Sequence, residues 1–297
     1  METEFFLLDP QGEPLAGAIH CYSLEKLNEF GPVLAQIADG LAGYVPVEAV
    51  TSEYGPGQLE INVRHSDPLT AADDAFRLKY AVRALARAAG ARATFMAKPF
   101  QGLSGSSMHL HVSLWQGDTP AFGPRAGTEN PLMRMAIAGI VRHLPAITIF
   151  GAPSINSYKR LEPRSYAPTT ATWGGDNRTA AVRTLVEAEH STRIELRTPG
   201  ADANPYWAIS SLLAAVIAGL EDGEEAAGRG RGDLYGTGQP LPRTPAEAAE
   251  LARSDKRITD LLGEDAVHDY TLLVDQDWTA YITTVTGWER DRYLELA

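Results

Sequence analysis

The chain has 297 residues, 44% hydrophobic and 22% charged, the composition of a globular protein with one large or two modest domains. Its net charge of −12 argues against nucleic acid as a main partner. We find no apolar run long enough to span a bilayer and no signal peptide, so we expect no membrane partner. With Cys21 as its one cysteine, the chain can form no intrachain disulfide, which fits a cytoplasmic setting.

Hydrophobic spacing and turn residues predict strands and helices interleaved along the chain. The predicted strands cover residues 1–9, 46–53, 58–65, 92–98 and 107–115. The predicted helices cover residues 24–42, 67–89, 131–146, 204–221, 245–253, 256–263 and 267–289, with Asp67 as the N-cap of the second. Long loops are expected at residues 151–177 and 223–242. Because strands and helices do not alternate strictly, we expect an α+β fold with an antiparallel sheet.

Three segments place polar side chains at every second position. Glu2 and Glu4 do so in the first segment, and His109 and His111 in the second. The third, residues 193–197, puts two arginines and a glutamate on one face. Because successive strand side chains point to opposite faces, these segments predict one sheet with a dry face and a charged face. Carboxylates with a histidine suit a divalent cation and arginines suit phosphate, so we infer a metal–nucleotide site.

Further polar residues fit such a site but also have simpler explanations. Glu53 and Glu60 flank a Gly-Pro-Gly turn that could bring both carboxylates to one point or form an ordinary surface hairpin. The small residues at 104–107 would let a ligand approach the backbone closely. A basic series could pair with the excess of acids or read phosphate and carboxylate groups: Arg160, Arg178, Arg183, Arg193 and Arg197.

These segments resemble the catalytic domain of the glutamine synthetase superfamily from Glu2 to the C-terminus. Six motifs match in order and rough spacing: Glu-Thr-Glu-Phe-Phe at the start, Pro-Gly-Gln-Leu-Glu, Gly-Ser-Ser-Met-His-Leu-His, Asn-Ser-Tyr-Lys-Arg-Leu, Asp-Asn-Arg-Thr-Ala-Ala-Val-Arg and Arg-Ile-Glu-Leu-Arg-Thr-Pro. The resemblance implies a guanido-kinase-like fold, in which a curved antiparallel sheet carries helices on its outer face. It also implies a ligase that forms γ-glutamyl amides through γ-glutamyl phosphate, with ATP as co-substrate and two Mg²⁺ or Mn²⁺ ions per active site.

The resemblance also implies roles for the matching residues. The first metal ion, near the amino-acid substrate, would be bound by Glu4, Glu53 and Glu60. The second, which bridges the ATP phosphates, would be bound by Glu2, His109 and Glu195. The glutamate substrate would contact the backbone of Gly105, and its carboxylates would be held by Arg160 and Arg197. The nucleotide side would be formed by His111, Ser113, Arg183 and Arg193, and Arg178 would face the phosphates as a catalytic residue.

The sequence departs from the family pattern at two places. Family members carry a smaller β-grasp domain before the Glu-x-Glu strand, and in ring-shaped homo-oligomers it completes the neighbouring subunit's active site. Because this sequence starts at that strand, we expect residues 1–297 to be the catalytic domain alone, poorly assembled and poorly active by itself. The second departure lies in residues 163–168, where ammonia-using members have a glutamate and the matching position here is Tyr166.

Tyr166 favours an organic amine over ammonia as the acceptor, as in the branch that makes γ-glutamyl amides of polyamines. A phenol with an ordinary pKa is a poor base at neutral pH, so we expect Tyr166 to pack beside an alkyl chain. Glu162 or another acid could hold a distal ammonium. Two alternatives stay open at this point: an ammonia-using glutamine synthetase domain, and a non-catalytic relic that binds Mg-ATP or partner subunits.

Overall fold

The computed structural model describes residues 1–18, 21–123, 128–186 and 188–296. Its strands are β1 (Glu2–Leu8), β2 (Val47–Ser52), β3 (Gln58–Val63), β4 (Arg92–Thr94), β5 (Met108–Val112), β6 (Trp115–Gln116), β7 (Thr119–Pro120), β8 (Thr170–Ala171), β9 (Trp173–Gly174), β10 (Val182–Leu185), β11 (Arg193–Leu196) and β12 (Gln239–Pro240). Its helices are α1 (Leu24–Glu29), α2 (Gly31–Leu41), α3 (Pro68–Ala88), α4 (Pro131–Gly151), α5 (Ile155–Tyr158), α6 (Pro205–Asp222), α7 (Pro245–Ser254), α8 (Lys256–Leu262), α9 (Glu264–Ile282) and α10 (Gly287–Tyr293).

The main sheet brings the three polar segments together. Its strand order is β2–β3–β1–β5–β11–β10–β9, and β4 also pairs with β1. These pairs are antiparallel except β10 with β9, which is parallel. The register sets Glu2 opposite His109 and Glu195 opposite His111. The predicted α+β fold with an antiparallel sheet is therefore confirmed, and the three polar segments are adjacent strands at its centre.

Helices bury the apolar face of this sheet in two clusters. Phe5 of β1 and Leu59 of β3 pack in one cluster with Leu78 of α3. Ile194 of β11 packs in the other with Ile140 of α4. Burial of such large side chains is the main stabilising contribution, about 1.5–3 kcal/mol each. Because side chains alternate along a strand, the face of β1 that carries Phe5 packs into the core, and Glu2 and Glu4 lie on the opposite, charged face.

Helices α4 and α6 cross with their backbones in close contact. A Cβ atom added to Gly139 would overlap the Ala215 carbonyl oxygen, and one added to Gly219 would overlap that of Met135. Glycine at both positions therefore lets the two helices approach closely. By length and composition alone α4 could cross a membrane, although we expected no such run from the sequence, but 67% of its most apolar window is buried inside the protein. This burial is that of a core helix and is consistent with a soluble protein.

The predicted elements are present, and several differ at their ends. The helix expected over 24–42 divides into α1 and α2 at Phe30, because Pro32 has no backbone N–H with which to continue the hydrogen bonds of α1 and is tolerated only in a first helical turn. The helix expected over 267–289 divides into α9 and α10, because Thr286 forms a capping box with Glu289 and starts a new helix. Helix α4 continues past Pro145 to Gly151, in a fully packed environment. Asp67 caps α3 as predicted.

Candidate active site

The charged faces of β1, β3, β5 and β11 line a cavity of about 360 Å³. The six predicted metal ligands all line it: Glu2, Glu4, Glu53, Glu60, His109 and Glu195. Six other predicted site residues line it as well: Gly105, Arg160, Tyr166, Arg178, Arg183 and Arg197. The structure thus brings together residues from distant parts of the chain, as an active site requires.

A second cavity of about 390 Å³ adjoins the first and contains the remaining predicted residues. It is lined by His111, Ser113 and Arg193, and it shares Glu2 with the first cavity. Arg193 Nε donates a hydrogen bond to His111 Nδ1 over 3.1 Å. Of the residues predicted for the nucleotide side, Arg183 alone lies in the first cavity instead. Glu2 therefore stands at the junction of the two cavities.

Two histidines flank the Glu2 carboxylate. Its Oε2 lies 3.3 Å from His109 Nδ1, and its Oε1 lies 3.1 Å from His111 Nε2. Burial opposes ionisation of Glu2, but the hydrogen bonds of the two imidazoles hold its pKa well below the usual value. Burial and the nearby Arg197 charge lower the pKa of His109 to about 4. His109 is therefore neutral at pH 7, the form in which an imidazole binds metal.

Glu195 is a fully buried anion. Its carboxylate accepts hydrogen bonds from Arg183 over 2.8 Å and from Arg197 over 2.5 Å, and His109 Nδ1 lies 3.6 Å away. Burial opposes its ionisation, yet His109, which is protonated at the low pH where Glu195 titrates, and the charge of Arg197 lower the pKa of Glu195 to about 2. The buried charge is tolerated because it is paired on both oxygens.

The other three carboxylates crowd one another. Burial, with the charge of Glu53, raises the pKa of Glu4 to about 8. Burial and the charges of Glu2 and Glu4 raise the pKa of Glu60 to about 9. Burial also raises the pKa of Glu53. Carboxylate oxygens with an imidazole are ligands that suit Mg²⁺ or Mn²⁺, and a divalent cation would relieve their mutual repulsion. The donor set therefore fits the predicted metals.

The donor atoms group differently from the two predicted sets of three. Two groups have ligand atoms within 4.8 Å of one another: Glu2, Glu60 and His109, and Glu2, His111 and Glu195. Glu4 belongs to neither group, because its carboxylate is held toward the start of β5. Its Oε2 accepts hydrogen bonds from the Ser107 N–H over 2.8 Å and from Gln58 over 3.2 Å. His111, predicted for the nucleotide side, is thus also within ligand distance of Glu2 and Glu195.

The buried acids of the first cavity form its floor. The arginines predicted to hold carboxylates are almost completely buried beside this floor. Arg160 is 2% exposed and Arg197 is 4% exposed. Arg160 donates hydrogen bonds to Ser107 Oγ and to the Thr198 carbonyl oxygen. A Cβ atom on Gly105 would overlap the Arg160 side chain, so glycine is required for this close packing. A fixed, desolvated guanidinium is a strong partner for a substrate carboxylate.

The loop over residues 163–168 presents Tyr166 at the cavity. Tyr166 is 51% exposed, has a positive φ of 58°, and stacks on Tyr54 with 5.6 Å between ring centroids. Glu162, the nearest acid in sequence, instead pairs with Lys98 Nζ at 2.6 Å. No residue of this loop therefore brings a carboxylate to the cavity.

Comparison with known proteins shows the family of this chain. Residues 1–293 match the family model of the glutamine synthetase catalytic domain. The chain belongs to the glutamine synthetase family. The solved structure of ligand-free GmaS superimposes with a TM-score of 0.90 at 31% identity, over 99% of this chain and 71% of that one.

Curated members of the glutamine synthetase family with different acceptors are similar to this chain. The γ-glutamylputrescine synthetase PuuA of Escherichia coli K12 is 36% identical, over 91% of this chain and 61% of its own length. The glutamate–isopropylamine ligase of a Pseudomonas species is 35% identical, over 95% and 63%. The glutamine synthetase of Thermotoga maritima is 33% identical, over 99% and 71%. The chain thus spans only about two thirds of each relative, and similar identities do not select one acceptor.

Three further residues of the cavity were not predicted from the sequence. Gln58 donates to Glu4 and to the Gly105 carbonyl oxygen, and thereby links β1 to the small-residue loop. Gln58 and Glu60 are two positions apart on β3 and therefore share a face, and this spacing could have identified Gln58. Tyr22 and Tyr54 line the cavity beside Tyr166, and no periodic pattern marks them because both lie outside strands.

Proposed function

We propose that the chain is the catalytic part of an ATP-dependent ligase that joins the γ-carboxyl group of glutamate to an organic amine. One observation carries the proposal: buried acids and arginines suited to Mg-ATP and glutamate line a cavity at which residues 163–168 place Tyr166 and no carboxylate. Relatives named as putrescine and isopropylamine ligases support it.

The proposed reaction has two steps. An oxygen of the γ-carboxylate attacks the terminal phosphorus of ATP, and the bond from that phosphorus to the bridging oxygen breaks to release ADP. The amine nitrogen then attacks the acyl carbon of γ-glutamyl phosphate, phosphate leaves, and the nitrogen gives its extra proton to phosphate or water. Negative charge builds up on the phosphoryl oxygens in the first step, so fixed cations accelerate it.

The residues of this chain would have the following roles in the reaction. Arg160 and Arg197 would hold the carboxylates of glutamate, and Gly105 would offer its backbone. Arg178 and Arg183 would face the transferring phosphoryl group, and the nucleotide would lie against His111, Ser113 and Arg193. Two Mg²⁺ or Mn²⁺ ions would neutralise phosphate charge. We propose Glu4, Glu53 and Glu60 as ligands of one ion and Glu2, His109 and Glu195 as ligands of the other, with Glu60 also within reach of Glu2 and His109, and His111 within reach of Glu2 and Glu195.

Tyr166 is the reason to propose an amine and not ammonia. Both ammonium and an alkylammonium must lose a proton before they attack, but ammonium has no apolar body and depends on an anionic pocket for its capture. The Tyr166 ring supplies no anion at neutral pH and instead offers an apolar surface to an alkyl chain. The second candidate is an ammonia-using glutamine synthetase, which the Thermotoga maritima relative favours.

The proposal for the complete protein is a cytoplasmic, ring-shaped homo-oligomer with a β-grasp domain encoded upstream of Met1. The greater length of the relatives supports the further domain. Light scattering of the full-length gene product would test it, with a monomer as the contradicting result.

The decisive experiment is phosphate release by the full-length gene product with glutamate, Mg-ATP and either ammonium or one amine at a time. We expect at least one organic amine to give a higher kcat/KM than ammonium. Ammonium preferred over every amine would contradict the proposal and support the glutamine synthetase alternative. Failure to hydrolyse or transfer phosphate with any acceptor would support the relic.

A further inference from the structure

Three exposed tyrosines stand at the entrance of the cavity and form a tyrosine collar, defined here as Tyr22, Tyr54 and Tyr166. All three line the cavity, and their exposed fractions are 58%, 42% and 51%. The acids of the floor are far less exposed, for example Glu53 at 9% and Glu195 at 0%. The collar is therefore the more solvent-exposed part of the cavity lining, and the acids lie deeper.

Backbone strain is concentrated in the collar. Among the described residues, the non-glycine positions with positive φ are Tyr22, Arg164 and Tyr166, at 58°, 66° and 58°. Two of them are collar tyrosines and the third lies two residues from Tyr166. A left-handed backbone is costly for tyrosine and persists where the surroundings hold it. With this backbone conformation Tyr166 stacks on Tyr54, and the two rings form an aromatic surface at the entrance.

The charges around the collar discriminate between amines. Arg178 lies at the collar, where its NH1 donates to the Tyr22 hydroxyl over 3.4 Å, and it adds a positive charge to the entrance. The acid that we expected to hold a distal ammonium, Glu162, is paired with Lys98 and is not among the residues that line the cavity. A second ammonium group on the acceptor would therefore meet Arg178 at the collar, whereas the cavity acid that interacts with the charge of Arg178, Glu53, is only 9% exposed.

We infer that the tyrosine collar selects a primary monoamine with a compact, uncharged body over a diamine or polyamine. This inference rests on the proposed function and names the substrate class of the same site. The aromatic faces of Tyr54 and Tyr166 contact the alkyl body and attract the single ammonium group before it loses its proton. The positive charge of Arg178 repels a second ammonium group.

The test compares butylamine with putrescine, which has the same four-carbon chain and a second amine. With the full-length gene product, saturating glutamate and Mg-ATP, we expect kcat/KM for butylamine to exceed that for putrescine by about tenfold or more. Putrescine equal to or better than butylamine would overturn the inference and leave the proposed function standing. Ammonium preferred over both and over every other amine would instead overturn the proposed function.

Variants locate the effect in the collar. Tyr54→Ala and Tyr166→Ala should each lower kcat/KM for butylamine about threefold to thirtyfold, mainly through the KM of the amine, with the KM of glutamate unchanged. Tyr166→Glu should raise the ratio of putrescine to butylamine activity. Tyr44→Ala removes a tyrosine that is 75% exposed and lies outside the cavity, so it should change nothing.

A binding measurement tests the inference even when the purified protein has no ligase activity. Calorimetry on protein saturated with glutamate and a non-hydrolysable ATP analogue should show tighter binding of butylamine than of putrescine, weakened by Tyr166→Ala and not by Tyr44→Ala. Equal affinities for the two amines, or a butylamine affinity that Tyr54→Ala and Tyr166→Ala leave unchanged, would overturn the inference.

Discussion

Glu2 and His109 face each other across the β1–β5 ladder, and their side chains meet at 3.3 Å between Oε2 and Nδ1. Both residues line the first cavity, and Glu2 also lines the second. In an antiparallel sheet, directly opposed residues have side chains on the same face, so the ladder itself positions the two donors. The rigidity of the sheet, and not of a loop, therefore sets the geometry of the proposed metal centre.

Glu195→Gln should destabilise the protein and weaken Mg-ATP binding. The substitution leaves the guanidinium groups of Arg183 and Arg197 without their buried counter-charge, and removing one partner of such a pair costs about 3–5 kcal/mol. Urea unfolding and calorimetry measure the two effects. Asp176→Asn is the matched control, because Asp176 pairs with the same Arg183 from an exposed position and should contribute less than about 1 kcal/mol. Equal losses for both variants would contradict the prediction.

Binding of Mg²⁺ should release protons and strengthen as pH rises from 7 to 9. With pKa values of about 8 and about 9, the Glu4 and Glu60 carboxyls are mostly protonated at pH 7 and must ionise before they can bind a cation. Calorimetry in two buffers of different ionisation enthalpy counts the released protons. Glu60→Gln should release fewer. An affinity independent of pH over this range would show that these carboxyls are already ionised.

Gly139→Ala should destabilise the fold although it adds a single methyl group. The new Cβ atom would collide with the Ala215 carbonyl oxygen, so α4 and α6 must separate, at a cost of about 1–3 kcal/mol. Gly228→Ala is the control, since no atom lies within 4 Å of the position of its Cβ. The melting temperature of each variant measures the difference. A Gly139→Ala protein as stable as Gly228→Ala would disprove the close crossing.

Lys79→Met should remove a rise in stability at alkaline pH. Burial lowers the pKa of Lys79 from 10.5 to about 8, and its Nζ donates to the Ala203 carbonyl oxygen over 2.7 Å. Between pH 8 and 10.5 Lys79 is mostly protonated in the unfolded chain and mostly neutral in the folded protein. The free energy of unfolding therefore increases with pH over this range, by up to about 3 kcal/mol. Urea unfolding at intervals from pH 7 to 10 measures this rise. The exposed Lys256→Met control should keep the wild-type slope, and a slope retained in Lys79→Met would count against the assignment.

Much of the sheet and of its charged face was predictable because period-two alternation is local information. The pattern of Glu2 and Glu4 already assigns both carboxylates to one face, and the structure agrees. The regrouping of the donors was not predictable, because the turn of Glu4 toward Ser107 depends on a hydrogen bond between residues 103 positions apart. The break at Thr286 could have been anticipated from its capping box with Glu289, and the pairing of Glu162 with Lys98 could not.

The wide separation of the site residues along the chain also has a consequence for how the protein folds. Glu2 and His109 are 107 positions apart, and Glu4 and Gln58 are 54 apart. Contacts of such long range form late and slow the search for the native state. No short piece of a nascent chain can then assemble the donor set, so a cation bound at the proposed centre would stabilise the finished fold and would not guide its early stages. Chelators should accordingly change the unfolding rate far more than the refolding rate.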